Sequence, residues 1–381
     1  MTKKHLLFSG NNAWGMYNFR HELLRHFVEK GYRVSVSAPY DEEQFRMLRE
    51  LGCEVYPIRM RPRGTNPLHD FSLFLQYYWL MRKLKPDMSI TYTIKPNIYA
   101  SWAAHLHKIP FLPVTTGLGY VFLKKTPATS LAKRLYKHAF SKAERVWFLN
   151  SDDLRLFREA RLVSNALVEQ LPGEGVNLDF FAETPMPPAD QPITFLYVGR
   201  ILRDKGLEEF IYAARWLRKR YPQVRVQMLG AMWPENPAAI PQRQMEAWQR
   251  EGVVEYLGFK HDVRPYLQAA HCVVLPSYRE GIPCSLMEGA AMCRILVATD
   301  VPGCRDVVLD EQNGYLCRPR HWKSLAHAME RVIKLSPKER EAMGRCGREW
   351  MLERFDLHLV IKRYEQMIND TLAKRQAHHK H

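Results

Sequence analysis

The strongest constraint on this chain is a rhythm in which short β-rich runs alternate with helical periodicity, stop, and start again. HLLFS (5–9) reads as a strand, and after a loop YNFRHELLRHFVEK reads as one helix ended by Gly31. RVSVSAP follows as a strand, DEEQFRMLREL as a helix ended by Gly52, and EVYPI as a third strand. DMSITYT, FLPVTT and RVWFLN extend the series, with helical stretches between them. Repeated β–α units of this kind imply a parallel sheet covered on both faces. Residues 172–192 then interrupt with five Pro and two Gly, the mark of a linker. The alternation resumes with ITFLYVG, a helix from Leu207, VRVQMLG, a helix near 242–251, VVEYLG, CVVLPS and ILVAT. From Ser336 the pattern is helical to the end. The expected fold class is α/β, with two doubly wound Rossmann-like domains facing across a cleft. Ligands in such sheets sit beyond the carboxyl ends of the strands.

Composition narrows the partners. The 381 residues carry 56 Lys or Arg against 40 Asp or Glu, a formal charge of +16, which favours a polyanion: nucleic acid, an anionic membrane or a phosphorylated substrate. Residues 51–150 hold 15 Lys or Arg and 4 Asp or Glu, an excess of 11. Within them, ATSLAKRLYKHAFSKA (128–143) sets Lys133, Arg134, Lys137 and Lys142 beside Leu131, Leu135 and Phe140. Two readings compete for this segment: a basic amphipathic surface for anionic lipid, or a solvated helix with a core-facing Leu stripe. LGYVFL (118–123) runs into Lys124 and Lys125, and FSLFLQYYWLM (71–81), apolar on nearly every side, reads as a buried helix. No finger or RNP-type signature accompanies the charge, so no nucleic acid is expected.

The seven Cys are scattered without a C-x-x-C pair, which favours a reducing compartment over a disulfide framework. The N-terminal apolar run is too short for a signal peptide and none reaches the length of a spanning helix, so a cytoplasmic, soluble or membrane-peripheral protein is expected. The loop GNNAWG (10–15) has P-loop spacing but Met16 where Lys is required. No G-x-G-x-x-G follows a strand and no D-x-D or ligand-spaced His/Cys cluster occurs, so neither a cofactor nor a metal is expected.

Two places carry chemistry. ITFLYVG ends at Gly199, followed by Arg200 and, five residues on, Lys205-Gly206. Two cations at a strand's carboxyl end suit a diphosphate, where Arg forks to two oxygens and Lys supplies a point charge. Taken alone, they read equally as a solvated basic turn. After CVVLPS comes YREGIPCSLMEGAAM, with Glu280 in the loop and Glu288 in a helix starting near Cys284 or Ser285. Gly281 lets backbone approach a ligand, and the first-turn N–H groups suit an anion. Glu280 suits sugar hydroxyls and Glu288 ribose hydroxyls. For Glu288 there is a structural alternative, because Ser285-x-x-Glu288 is also a capping box.

These segments resemble a known family. Gly199-Arg200…Lys205-Gly206, Glu280-x7-Glu288 inside REGIPCSLMEGAA, TDVPGCRDVV and NGYLC look like the retaining GT-B glycosyltransferases of family 4, and GVNLDFF (175–181) matches that family's interdomain region. TIKPNIYASWAA (93–104) and TTGLGYVF (115–122) are similar to a bacterial subgroup that builds O-antigen, capsule, exopolysaccharide or N-glycan precursors on undecaprenyl diphosphate.

The resemblance implies an acceptor-binding domain over 1–180, a nucleotide-sugar domain over 181–355, and a C-terminal helix (356–381) returning to the first domain. Arg200 and Lys205 would grip the donor diphosphate and, with Glu280 on the transferred sugar, form the catalytic set. The backbone of Gly281, Ile282, Pro283, Cys284, Ser285 and Leu286 would border sugar and phosphate, Glu288 would bind ribose, and Val263 in GFKHDV would lie by the base. Gly15, Arg20, Lys95, Gly117 and Gly119 are the expected acceptor-side residues. Thr116 stands where many relatives carry His, and no catalytic role is assigned to it.

The implied activity is a metal-independent, retaining transfer of a hexosyl or N-acetylhexosaminyl unit, first guess N-acetylgalactosamine, from a UDP-sugar to a polyprenyl-diphosphate-linked saccharide. Residues 51–150 would hold the protein at the anionic inner face of the plasma membrane. The alternative is a catalytically silent subunit that binds nucleotide sugar or lipid-linked saccharide.

Overall fold

A computed structural model describes residues 3–61, 66–118, 127–164 and 167–378. Two compact units form: residues up to Glu174 join those from Val360 onward, and Gly175–Leu359 make the other.

In the first unit, β1 (His5–Ser9), β2 (Arg33–Ala38), β3 (Glu54–Pro57), β4 (Met88–Tyr92), β5 (Phe111–Thr115), β6 (Val146–Phe148) and β7 (Val168–Gln170) pair in the order β3-β2-β1-β4-β5-β6-β7, all parallel. Leu6 lies opposite Val34 on one side and Met88 on the other. Strands β1, β4 and β5 are buried along their whole length, as apolar runs covered on both faces must be. In the second unit, β8 (Thr194–Val198), β9 (Arg225–Leu229), β10 (Glu255–Tyr256), β11 (Cys272–Leu275), β12 (Ile295–Thr299) and β13 (Gly314–Cys317) run parallel in the order β10-β9-β8-β11-β12-β13. Each sheet reverses its winding beside its first strand, between β1 and β4 and between β8 and β11. That is where a doubly wound sheet opens a crevice for ligand.

Three local readings change. YNFRHELLRHFVEK does not form one helix: Ala13–Asn18 and His21–Glu29 are separate, and Arg20 between them leaves helical geometry at φ −134°, ψ 3°. FSLFLQYYWLM belongs to the helix Pro67–Leu84, which Asn66 caps by accepting from the Leu68 N–H at 3.0 Å. This helix buries only Leu73, Tyr77, Met81 and Leu84, and its opposite face is open. In the helix Pro127–Phe140 the core-facing residues are Tyr136, Ala139 and Phe140, whereas Leu131 is exposed. The segment LGYVFL with Lys124 and Lys125 lies outside the described residues beyond Leu118.

The last helix, Leu357–His378, belongs to the first unit from Val360 on. Val360, Tyr364 and Ile368 recur every four residues and are buried, with Leu372 continuing the stripe. Tyr364 packs edge-on to Trp147 at 4.8 Å and accepts a hydrogen bond from the Tyr92 hydroxyl at 3.0 Å.

Candidate functional site

The second unit's switch point brings together two loops far apart in sequence. Strand β8 leads into Gly199, whose N–H donates to Leu229 O at 2.9 Å, and the Ile201 N–H donates to Ala231 O at 3.0 Å. Arg200 is therefore set on a backbone tied to the neighbouring strand. The buried Tyr197 hydroxyl donates to Arg200 O at 2.7 Å, and the guanidinium lies 5.5 Å from the centre of the Trp233 ring. Among the described residues no carboxylate pairs with Arg200.

The chain then makes a single tight turn, Arg203–Lys205, closed by Gly206 at φ +70°. A Cβ at Gly206 would lie 2.0 Å from Pro276 O, so only glycine lets this turn press on the loop after β11. The Tyr278 N–H secures the same contact by donating to Asp204 O at 3.0 Å, and the Tyr278 hydroxyl bonds to the Glu209 carboxylate at 2.8 Å. On the other side Gly303, at φ +79°, would bring a Cβ within 2.2 Å of Gly281 O. The Glu280–Gly281 loop is thus held between two glycine-permitted approaches, and the Lys205 ammonium donates to the Glu280 carboxylate. The Tyr197 hydroxyl is held above its ordinary range by burial first, then by Glu280, while Arg200 acts in the opposite sense. Arg200 and Glu280 therefore act on one neighbourhood.

The helix Cys284–Ala291 begins at the earlier of the two expected residues, with Pro283 as its N-cap and no side-chain cap bond. Ser285 is then the second residue of the helix and makes no capping box with Glu288. A capping box does occur elsewhere, at Ser336 and Glu339. Glu288 sits in the second turn without a hydrogen-bond or ionic partner among the described residues, and burial pushes its carboxyl up to about 7. An unpartnered carboxyl group so placed can accept hydrogen bonds from a hydroxylated ligand. Toward the opposite edge, the Gly230 N–H donates to Gly258 O at 2.9 Å, which ties the loop carrying Val263 to the turn after β9.

The first unit treats its expected residues differently. Gly15 N–H donates to Asn12 Oδ1 at 2.5 Å, and Gly15 O accepts from Arg20 Nη1 at 2.8 Å. Arg20 is 5% exposed, pairs with Glu174, and lies 3.8 Å over the Tyr92 ring, so its cation is taken up inside the unit. Lys95 bonds to Asp70 Oδ1 at 2.7 Å. Gly117 lies just past β5 at φ +138°, and Gly119 lies outside the described residues.

Tyr278, Glu209 and Gly303 were not singled out by sequence. Only Gly303 had a visible signal, the P-G dipeptide of TDVPGCRDVV, because the other two act through a fold-dependent contact.

Residues 183–350 match the family model described as glycosyl transferases group 1, and residues 5–150 match that of glycosyl transferase 4-like proteins. The chain is 25% identical over 373 residues to a Campylobacter jejuni N,N'-diacetylbacillosaminyl-diphospho-undecaprenol alpha-1,3-N-acetylgalactosaminyltransferase, covering 94% of this chain and 96% of that protein. Among solved structures, a glycosyltransferase of Rickettsia africae superposes with a TM-score of 0.79 at 15% identity, over 98% of this chain and 99% of that one. The Anabaena protein HepE, solved with UDP and glucose, also gives 0.79, at 16% identity over 96% and 100%.

Proposed function

The chain belongs to the group 1 and 4-like glycosyltransferases with a GT-B fold, and from that premise we propose that it transfers a hexosyl or N-acetylhexosaminyl unit, with retention, from a UDP-sugar to an undecaprenyl-diphosphate-linked saccharide. The observation that carries this reading is that the loop after β8, which bears Arg200 and Lys205, meets the loop after β11 at the switch point of the second sheet, where Lys205 bonds Glu280. Arg200, with no carboxylate partner among the described residues, and Lys205 face the donor diphosphate. As the bond from the anomeric carbon to the diphosphate oxygen breaks, negative charge gathers on that oxygen, and two fixed cations stabilise it more than they stabilise the bound donor.

Donor binding sets the Lys205 ammonium between a carboxylate and the phosphates, which leaves the Glu280 oxygens for the sugar hydroxyls. Glu288 accepts from the ribose, and the Val263 loop borders the base. The acceptor hydroxyl attacks on the face the diphosphate leaves, and its proton passes to the departing diphosphate. No further base and no metal is required in this scheme.

On the acceptor side, Gly15, Lys95, Gly117 and Gly119 of the first unit contact the saccharide or its diphosphate. Arg20 acts by holding the Gly15 carbonyl. N-acetylgalactosamine is the first sugar to test, because the Campylobacter relative is named for its transfer to a diphospho-undecaprenol-linked acceptor. The products belong to O-antigen, capsule, exopolysaccharide or N-glycan assembly. The excess of 11 positive charges in residues 51–150 keeps the protein peripheral on the cytoplasmic face of an anionic membrane.

A panel of radiolabelled UDP-sugars offered with membrane extract tests the activity. Glu280→Ala and Lys205→Ala are each expected to lower turnover about 10²-fold, the scale of one lost transition-state contact. Near-normal turnover in both removes the site assignment. Saturable donor binding without turnover in the unmodified protein would favour a silent binding subunit. NMR of the product anomer tests retention, and turnover in excess EDTA tests metal independence.

A further inference from the structure

The helix Pro67–Leu84 has two apolar faces, and only one is used inside the protein. Opposite the buried Leu73, Tyr77 and Met81 stand Leu68, Phe71, Leu75 and Trp79, exposed by 80%, 60%, 37% and 60%. Spaced at i, i+3, i+7 and i+11, they fall within about 80° of arc and run for about 16 Å along the helix. A contiguous ridge of large apolar side chains in water marks an interaction surface.

Both ends of the ridge are basic. Beside Leu68 opens a cavity of about 780 Å³ whose lining includes Arg59, Arg61, His69 and Lys95, and Asp70, its only acidic residue among those described, already pairs with Lys95. At the other end the lining of a cavity of about 420 Å³ includes Arg82, Lys85, His107 and Arg375 and, among the described residues, nothing acidic, and the Arg82 guanidinium lies 5.9 Å from the Trp79 ring. An apolar ridge bracketed by cations fits a bilayer interface, with rings among the acyl chains and phosphates at the two ends. A soluble protein partner of ordinary charge would leave both cavities uncompensated. Among the described residues no helix is long and apolar enough to cross a membrane.

We propose that the Leu68–Phe71–Leu75–Trp79 ridge is the element that inserts into an anionic phospholipid surface, which presupposes the membrane association proposed above but not the donor chemistry. The basic helix Pro127–Phe140 adds attraction, since it exposes Arg134 and Lys137 and buries Tyr136 and Phe140, and its exposed Leu131 stands apart from any ridge of the kind seen on the Pro67 helix.

The test is co-sedimentation of the full chain with vesicles of one part phosphatidylglycerol to three of phosphatidylethanolamine, and with phosphatidylcholine vesicles, at low salt and at 0.5 M salt. The unmodified protein is expected to prefer the anionic vesicles and to retain part of its binding at high salt. Phe71→Ser/Trp79→Ser is expected to lose binding about tenfold or more at both salts, since two large exposed rings that would leave water for the bilayer are forfeited. Its melting temperature and its turnover on a short water-soluble acceptor should be unchanged. Undiminished vesicle binding by this variant overturns the insertion role while membrane association stands. Failure of the unmodified protein to bind vesicles overturns both. Loss of self-association in the variant, without any vesicle binding by either protein, overturns the lipid assignment in favour of a second copy of the chain.

Discussion

Two basic–glutamate pairs in this molecule use the same chemistry for opposite ends. Arg20–Glu174 in the first unit joins residues 154 positions apart, beneath the face of Tyr92, and Tyr92 is itself bonded to Tyr364 of the last helix. Burial pushes the Glu174 carboxyl up, against the pull of Arg20, so this pair bears a desolvation cost that its own geometry must offset. Lys205–Glu280 in the second unit lies in loops beyond the carboxyl ends of β8 and β11, where a ligand of the sheet would sit. What separates them is the surroundings. A guanidinium that also bonds a backbone carbonyl and stacks on an aromatic ring is committed, whereas an ammonium on a single carboxylate can exchange that partner for a phosphate.

The largest effect expected from this contrast is on stability. Arg20→Ala should destabilise the protein by about 3–5 kcal/mol, because it leaves the Glu174 carboxyl buried without its cation. Lys205→Ala should cost less, about 1–3 kcal/mol in the same denaturant titration, because a single charge-assisted hydrogen bond is lost there, despite its loss of turnover. Equal stability losses in the two variants would break the distinction.

Next comes Glu288, whose raised carboxyl makes an unpaired group costly as pH rises. Below the ordinary carboxylate range near 4.5 it is protonated folded and unfolded, and contributes no penalty. Between about 4.5 and about 7 the unfolded chain releases this proton while the folded protein keeps it, so stability falls across that window and levels off above about 7. Glu288→Gln should therefore melt like the parent at pH 4 and be more stable at pH 8 by about 1–3 kcal/mol. If Glu288 binds ribose, the same variant should bind UDP more weakly, with the difference growing above pH 7. A variant unchanged in both would return Glu288 to an ordinary helix position.

The smallest effect belongs to the basic helix Pro127–Phe140. Lys133→Ala/Arg134→Ala/Lys137→Ala should weaken vesicle binding a few-fold at low salt and leave it unchanged at 0.5 M, where exposed charges are screened. A salt-independent loss would mean that this helix inserts as well.

Legibility in the sequence followed chain locality. The buried strands were readable because a continuous apolar run bounded by Gly or Pro needs no distant partner to be recognised, while β7 and β13, three and four residues long, were too short to show a pattern. The loop REGIPCSLMEGAA was readable as a site because its glutamates, glycine and helix start are contiguous. The role of Ser285 was not, since a shift of one or two residues in the helix start turns a cap into an interior position. The Pro67 helix defeated periodicity altogether: apolar on both faces, it gives the pattern of a buried helix whether or not anything covers its outer side.

By itself, then, the sequence determined two α/β halves, the strands that carry them and the residue types at the strand ends, because each is a property of short contiguous segments. Only the tertiary structure decided that Lys205 meets Glu280 across 75 residues, that Arg20 turns inward to Glu174, and which face of the Pro67 helix is left exposed. Those outcomes depend on which elements become neighbours, and the ion pairs and exposed faces exist only once the sheets have brought distant segments together.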